Sequence, residues 1–212
     1  SMARRTLDYL IEYPTWPTEW IMQAPLMAWN EYMFTGNTEL LAKHYERLKA
    51  RTLRDLKQPN GLISTRIGKQ SSNFLASIGY RGKQIRDIVD WPQNGAAGID
   101  KKEEGEADGY NLTEYNTVVN AYHCQALHIL ANIAEILNKT EEAKILAKET
   151  EEATKMLNQL LFDKLYGYYK DGLTSTHHSL HANIFPVTFN LFPRKSKESI
   201  MDFVRSRGMA CS

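Results

Sequence analysis

The chain lacks the features that mark several large protein classes. Its 212 residues include two cysteines, Cys124 and Cys211, far apart in sequence. That spacing gives neither a disulfide framework nor a paired-cysteine zinc site. No apolar run approaches the roughly 18 residues of a membrane-spanning helix, and no glycine-rich phosphate loop is present. Lys and Arg number 26 against 25 Asp and Glu, a formal net charge of +1. No global field therefore draws the chain to nucleic acid or to an anionic membrane, and neither is expected as a partner. Ser1-Met2-Ala3-Arg4-Arg5 leads directly into an amphipathic pattern and is no signal peptide. Ser1-Met2 has the look of a vector remnant, so the natural start, the compartment and periplasmic or secretory export of a longer parent stay open.

What the chain does have is apolar periodicity. A hydrophobic content of 42% over 212 residues suits one globular domain spanning 1–212 with a sizeable core. Leu7, Leu10 and Ile11 make a short helical stripe that ends at Pro14. From Trp20 to Phe34 the chain is apolar nearly all round, with Pro25 read as part of the first helical turn and Gly36-Asn37 as the stop. Thr38 reads as an N-cap, and 39–58 as an amphipathic outer helix whose Lys43, Arg47, Lys49, Arg51 and Arg54 form a solvated face. The segment 114–137 is again apolar on all sides and carries Cys124 as a buried small group, while 141–161 is charged and amphipathic. Tyr166, Tyr168 and Tyr169 around Gly167 predict a small β-hairpin within 162–173. An apolar helix over 179–191 and a capped one over 196–207 complete the series.

Three times, then, a buried helix is followed by a charged one. Inner and outer helices in hairpin pairs build either a solenoid or a closed double ring. Between the first two pairs lies a long irregular stretch, Gly79 to Thr113, of the length that connections reach when they are functional or mobile. It contains Arg86-Asp87-Ile88-Val89-Asp90-Trp91-Pro92 and, further on, Glu106-Ala107-Asp108-Gly109-Tyr110. Carboxylates beside aromatic faces on a helical scaffold are what a carbohydrate site needs: aromatic rings pack on the C–H faces of a sugar, and carboxylates hold hydroxyls or handle protons.

Several segments together resemble the catalytic domain of bacterial α-L-rhamnosidases, glycoside hydrolase family 78. They are Tyr13-Pro14-Thr15-Trp16-Pro17-Thr18-Glu19-Trp20, Asn30-Glu31-Tyr32-Met33-Phe34-Thr35-Gly36-Asn37, the Asp90-Trp91-Pro92 loop, Tyr115-Asn116-Thr117-Val118-Val119-Asn120-Ala121 and Leu180-His181-Ala182-Asn183. The resemblance covers most of the chain. It implies an all-α fold that is part of an (α/α)6 barrel. It further implies hydrolysis of terminal α-L-rhamnosyl groups with inversion, on a rhamnose-containing oligosaccharide or glycoside. Such a barrel needs twelve helices, more than the sequence supplies, and the family's general-acid and general-base motifs find no match here. The chain therefore reads as a central fragment, inactive by itself, with the catalytic residues unassigned.

The resemblance also implies roles. Trp91 would stack on the deoxy face and C6 methyl of rhamnose, and Asp90 would accept hydrogen bonds from ring hydroxyls. Trp16 and Trp20 form a second wall or else core at a helix start. Asp87 pairs with Arg86 or orients the loop. Asp108 and Tyr110 line the rim, with a turn role beside Gly109 as the alternative for Asp108. His181 hydrogen-bonds inside the barrel or reaches the mouth of the site. Glu19 and Glu114, at helix starts, serve the helix dipole as readily as catalysis. His177 and His181 stand four apart but lack a third ligand, so no metal or other cofactor is expected. A cut ring leaves apolar faces uncovered on 20–34 and 179–191, which predicts a homo-oligomer. The competing reading is a tetratricopeptide-like interaction module, prompted by 121–161; it requires a second copy 34 residues away, and none is found.

Overall fold

A computed structural model describes residues 2–68, 70–91 and 108–208. Pro92, Glu106, Ala107 and Cys211 lie outside the described residues. Eight α-helices occur among those described: α1 Met2–Glu12, α2 Thr18–Thr35, α3 Glu39–Ala50, α4 Ser72–Ser77, α5 Thr117–Ile136, α6 Thr140–Leu160, α7 Leu180–Thr188 and α8 Lys197–Arg207. A two-stranded antiparallel hairpin, β1 Phe162–Asp163 and β2 Tyr168–Tyr169, joins α6 to α7. Its register pairs Phe162 with Tyr169 and Asp163 with Tyr168, and Gly167 takes the positive φ that the turn requires.

The packing follows from the apolar stripes. Helix α5 is buried on nearly every side and touches α2, α6 and α7, whereas α6 buries only Ala143, Leu146, Ala153 and Leu157. Within each hairpin, α2 packs on α3, α5 on α6 and α7 on α8, and the inner members α2, α5 and α7 stand side by side. The result is an arc of inner helices backed by outer ones. Cys124, on α5, is buried, and burial pushes its thiol up to about 12.

Three local readings need correction. Helix α2 begins at Thr18, directly after Pro17, so Pro25 lies in the helix interior and not in its first turn. It ends as expected, where Gly36 adopts φ 66° and its N–H bonds Tyr32 O at 2.7 Å. Helix α3 stops at Ala50, well short of residue 58, and Asn37 rather than Thr38 supplies the side chain that accepts the Glu39 N–H, at 2.8 Å. The third correction is Arg51, which is buried and not part of a solvated face. Its guanidinium donates to Leu10 O at 3.0 Å, to Ile11 O and to Ile78 O at 3.1 Å. A cation at the C-terminal carbonyls of α1 satisfies orphan acceptors and complements the helix dipole. Lys49 and Arg54 stay nearer the surface and pair with Glu142 and Glu149 of α6, tying the outer layer together.

Candidate carbohydrate site

The segment 85–91 crosses the ends of the inner helices, and each residue on it has a specific anchor. Arg86 forms a backbone bridge to the strand entering α2: its N–H bonds Trp16 O at 3.1 Å, and the Thr18 N–H bonds Arg86 O at 2.9 Å. Asp87 points inward and is buried. One of its oxygens accepts the Thr65 hydroxyl at 2.8 Å, the other the Asn116 amide at 2.5 Å. Glu19, in the first turn of α2, is buried at 2% exposure and accepts the N–H groups of Ile88 at 3.3 Å and Val89 at 3.0 Å. Burial raises the Glu19 carboxyl from 4.5 to about 7, and the neighbouring Asp87 charge pushes the same way, against the backbone N–H bonds that pull it down.

Val89 takes φ 65°, a left-handed conformation unusual for a β-branched residue. The Asp90 N–H closes a tight turn onto Ile88 O at 2.8 Å. This turn swings Asp90 toward α7. One Asp90 oxygen accepts the Trp91 N–H at 2.7 Å, and the other pairs with His181 Nε2 at 2.8 Å. His181 is buried, and its Nδ1 has no hydrogen-bond partner among the described residues. The contact with the carboxylate assigns the proton to Nε2. Trp91, 55% exposed, projects from the end of the turn.

Trp91 and Trp16 border an open cleft of about 860 Å³, a volume typical of small-ligand sites. Asp87 and Ile88 also line it, with Thr65 and Arg66 from the connection after helix α3 and Lys83 from within the Gly79–Thr113 stretch. Arg86 lies over the Trp16 ring, 4.8 Å from guanidinium carbon to ring centroid. It does not pair with Asp87.

The remaining sequence candidates fall elsewhere. Trp20 is 53% exposed on α2 and does not line this cleft. Asp108 and Tyr110, expected at the rim, are both buried. Asp108 adopts φ 48°, accepts the Leu180 N–H at 2.7 Å and binds Arg207 from the end of α8. It is a clasp between the start of α7 and the end of α8. Tyr110 donates to Asp171 O at 2.5 Å, and its oxygen accepts the Val118 N–H at 3.3 Å. Burial and the nearby Asp171 charge hold its phenol well above the usual range. The three clustered histidines separate into three carboxylate pairs: His177 with Asp171, His178 with Asp163 and His181 with Asp90.

Sequence reasoning missed Glu19 as a strap and Asn116 as a strut. Both sit in quoted segments, but their partners are a backbone and a carboxylate in another segment, which spacing does not reveal.

A search among curated proteins finds no match. Solved structures share the fold, two of them rhamnosidases. The α-L-rhamnosidase from Dictyoglumus thermophilum aligns over 89% of this chain with a TM-score of 0.62 at 19% identity. The glycoside hydrolase family 78 rhamnosidase of Bacillus sp. GL1 aligns over 92% with a TM-score of 0.66 at 18% identity. In each case the chain spans 18% of the solved protein's length. Residues 8–210 match the family profile described as the bacterial alpha-L-rhamnosidase 6 hairpin glycosidase domain. With three inner–outer hairpins in place and nearly the whole chain matched, this protein belongs to the bacterial α-L-rhamnosidase six-hairpin glycosidase family.

Proposed function

We propose that this chain is the sugar-holding part of an enzyme that hydrolyses terminal α-L-rhamnosyl groups with inversion, and that Asp90 and Trp91 grip the rhamnosyl ring. The observation that carries this reading is the pairing of Asp90 with His181 beside the half-exposed Trp91 at the edge of the cleft. Trp91 offers an apolar face to the methyl-bearing side of the sugar. Asp90, fixed by His181, offers a carboxylate to vicinal hydroxyls. Trp16 also lines the cleft.

Inverting hydrolysis requires two carboxyls roughly 6.5–9.5 Å apart, one protonating the leaving oxygen and one activating water. At this site Glu19 and Asp87 are buried and committed to internal hydrogen bonds, and Asp90 is paired with an imidazole. Among the described residues at this site, none is free for that work. The 212-residue chain thus binds α-L-rhamnosides without turning them over. Titration with methyl α-L-rhamnoside, followed by tryptophan emission, tests the reading. Trp91→Ala abolishes binding in a folded protein; saturable binding that survives the substitution, or turnover of an aryl α-L-rhamnoside by the chain alone, overturns it.

A further inference from the structure

The cleft beside Trp91 has a charge that the chain as a whole lacks. Arg66, Lys83 and Arg86 line it, and all three are exposed. Asp87 is the one carboxylate among the lining residues, and it faces inward to Thr65 and Asn116. Among the described residues no carboxylate forms a salt bridge with any of the three cations. Arg66 spends one N–H on Leu112 O, at 3.1 Å. Arg86 lies over Trp16, so that wall presents an aromatic ring and a guanidinium together. In a protein of net charge +1, three cations that pair with no carboxylate among the described residues, all lining one opening, are a local concentration of positive charge.

We propose that this cleft is a subsite for a uronic-acid residue, so that the rhamnosyl group held by Asp90 and Trp91 is carried on an acidic saccharide. The inference rests on the rhamnosyl reading given above. A uronic acid combines the two chemistries that the cleft supplies. Its pyranose ring stacks on indole, and its carboxylate accepts paired N–H bonds from a guanidinium or a point contact from an ammonium. A volume of about 860 Å³ leaves room for such a residue next to the rhamnosyl group.

The test is calorimetric titration of the 212-residue chain with α-L-rhamnosyl-D-glucuronic acid and with the methyl ester of the same disaccharide. At low salt the acid binds about tenfold tighter than the ester, as charge-assisted hydrogen bonds at an exposed site allow. The ratio falls below about twofold near 0.5 M salt, where screening acts within a few ångströms. Lys83→Ala and Arg66→Gln, both surface changes, each lower the acid-to-ester ratio, with far-UV circular dichroism confirming the fold. Equal affinities for acid and ester, or a ratio indifferent to salt, overturn the uronate subsite and leave the rhamnosyl reading standing. Binding of neither disaccharide overturns both.

Discussion

Glu19→Gln is the substitution that most directly probes how the site is held. The Glu19 carboxyl titrates near 7 in the folded chain and at 4.5 when unfolded. A carboxyl raised in this way keeps its proton in the folded state while the unfolded chain has already lost its own. Stability is therefore highest below 4.5, falls as pH rises from 4.5 to 7, and is level above. At about 1.4 kcal/mol for each pH unit, the loss over that window is about 3 kcal/mol. His123 acts in the opposite sense. Burial pushes its imidazole down from 6.5 to about 4, so its contribution grows as pH rises through that range, by a similar amount. The wild-type profile between pH 4.5 and 6.5 is consequently nearly flat, and the Glu19 effect emerges only in the difference between variant and wild type. Glutamine keeps one acceptor for the Ile88 and Val89 N–H groups and cannot ionise. Urea denaturation at half-unit steps from pH 4.5 to 8 should show the variant gaining on the wild type by about 3 kcal/mol across the window, then holding that gain. A difference that stays constant with pH would refute both the burial and the proximity of Asp87 as causes.

Asp108→Asn, which leaves the left-handed backbone accessible, removes the charge that meets the Leu180 N–H and Arg207, and should cost about 1–3 kcal/mol in urea denaturation. Arg207→Ala should cost less, about 1 kcal/mol or under, because that side chain is 36% exposed; equal costs would place the weight of the clasp on Arg207 instead. Helix α2 leaves Trp20, Met33 and Phe34 exposed, Phe34 at 92%, and light scattering at high concentration should therefore find a dimer or larger assembly that Phe34→Ser weakens. A wild-type monomer at all concentrations would dismiss that face as an interface.

The hairpin architecture was legible because it rests on period alone. A helix such as α5, apolar on all sides, has to be inner, and a charged one such as α6 has to be outer. The Asp90–Trp91 pair stands out in the sequence as a sugar-binding candidate because that combination of side chains has a specific chemistry. What escaped was everything set by contacts distant in sequence. Arg51 looks like any cation on an amphipathic helix until the carbonyls of Leu10, Ile11 and Ile78 converge on it. Helix α3 ends early because Leu53 takes φ 60° with its side chain fully buried, and no propensity scale anticipates a left-handed leucine. Tyr110 and Asp108 lie close to the loop in sequence, yet each is drawn inward by partners from beyond residue 117. Sequence proximity to a site is a poor guide to facing it.

The way the 85–91 segment is held also decides what kind of site it makes. The left-handed Val89 costs about 1–3 kcal/mol on its own. The N–H groups of Ile88 and Val89 offset part of that by meeting the buried Glu19 carboxyl, whose oxygen accepts them in either protonation state. Each inner helix supplies one anchor: Glu19 from α2, and His181 from α7, while Asn116 stands immediately before α5. Thr65 adds a fourth from the connecting segment. A turn tied to all three inner helices cannot shift without shifting the arc, so Asp90 and Trp91 are presented at a fixed separation before any sugar arrives. Binding then incurs little ordering cost on the protein side. The same ties make the anchors interdependent: substituting Asn116 strands Asp87, which bears on Glu19, and the effects of paired substitutions should depart from additivity. On the reading proposed above, the rigid turn would fix the rhamnosyl ring, and the open, cation-lined cleft beside it would discriminate what the ring is attached to.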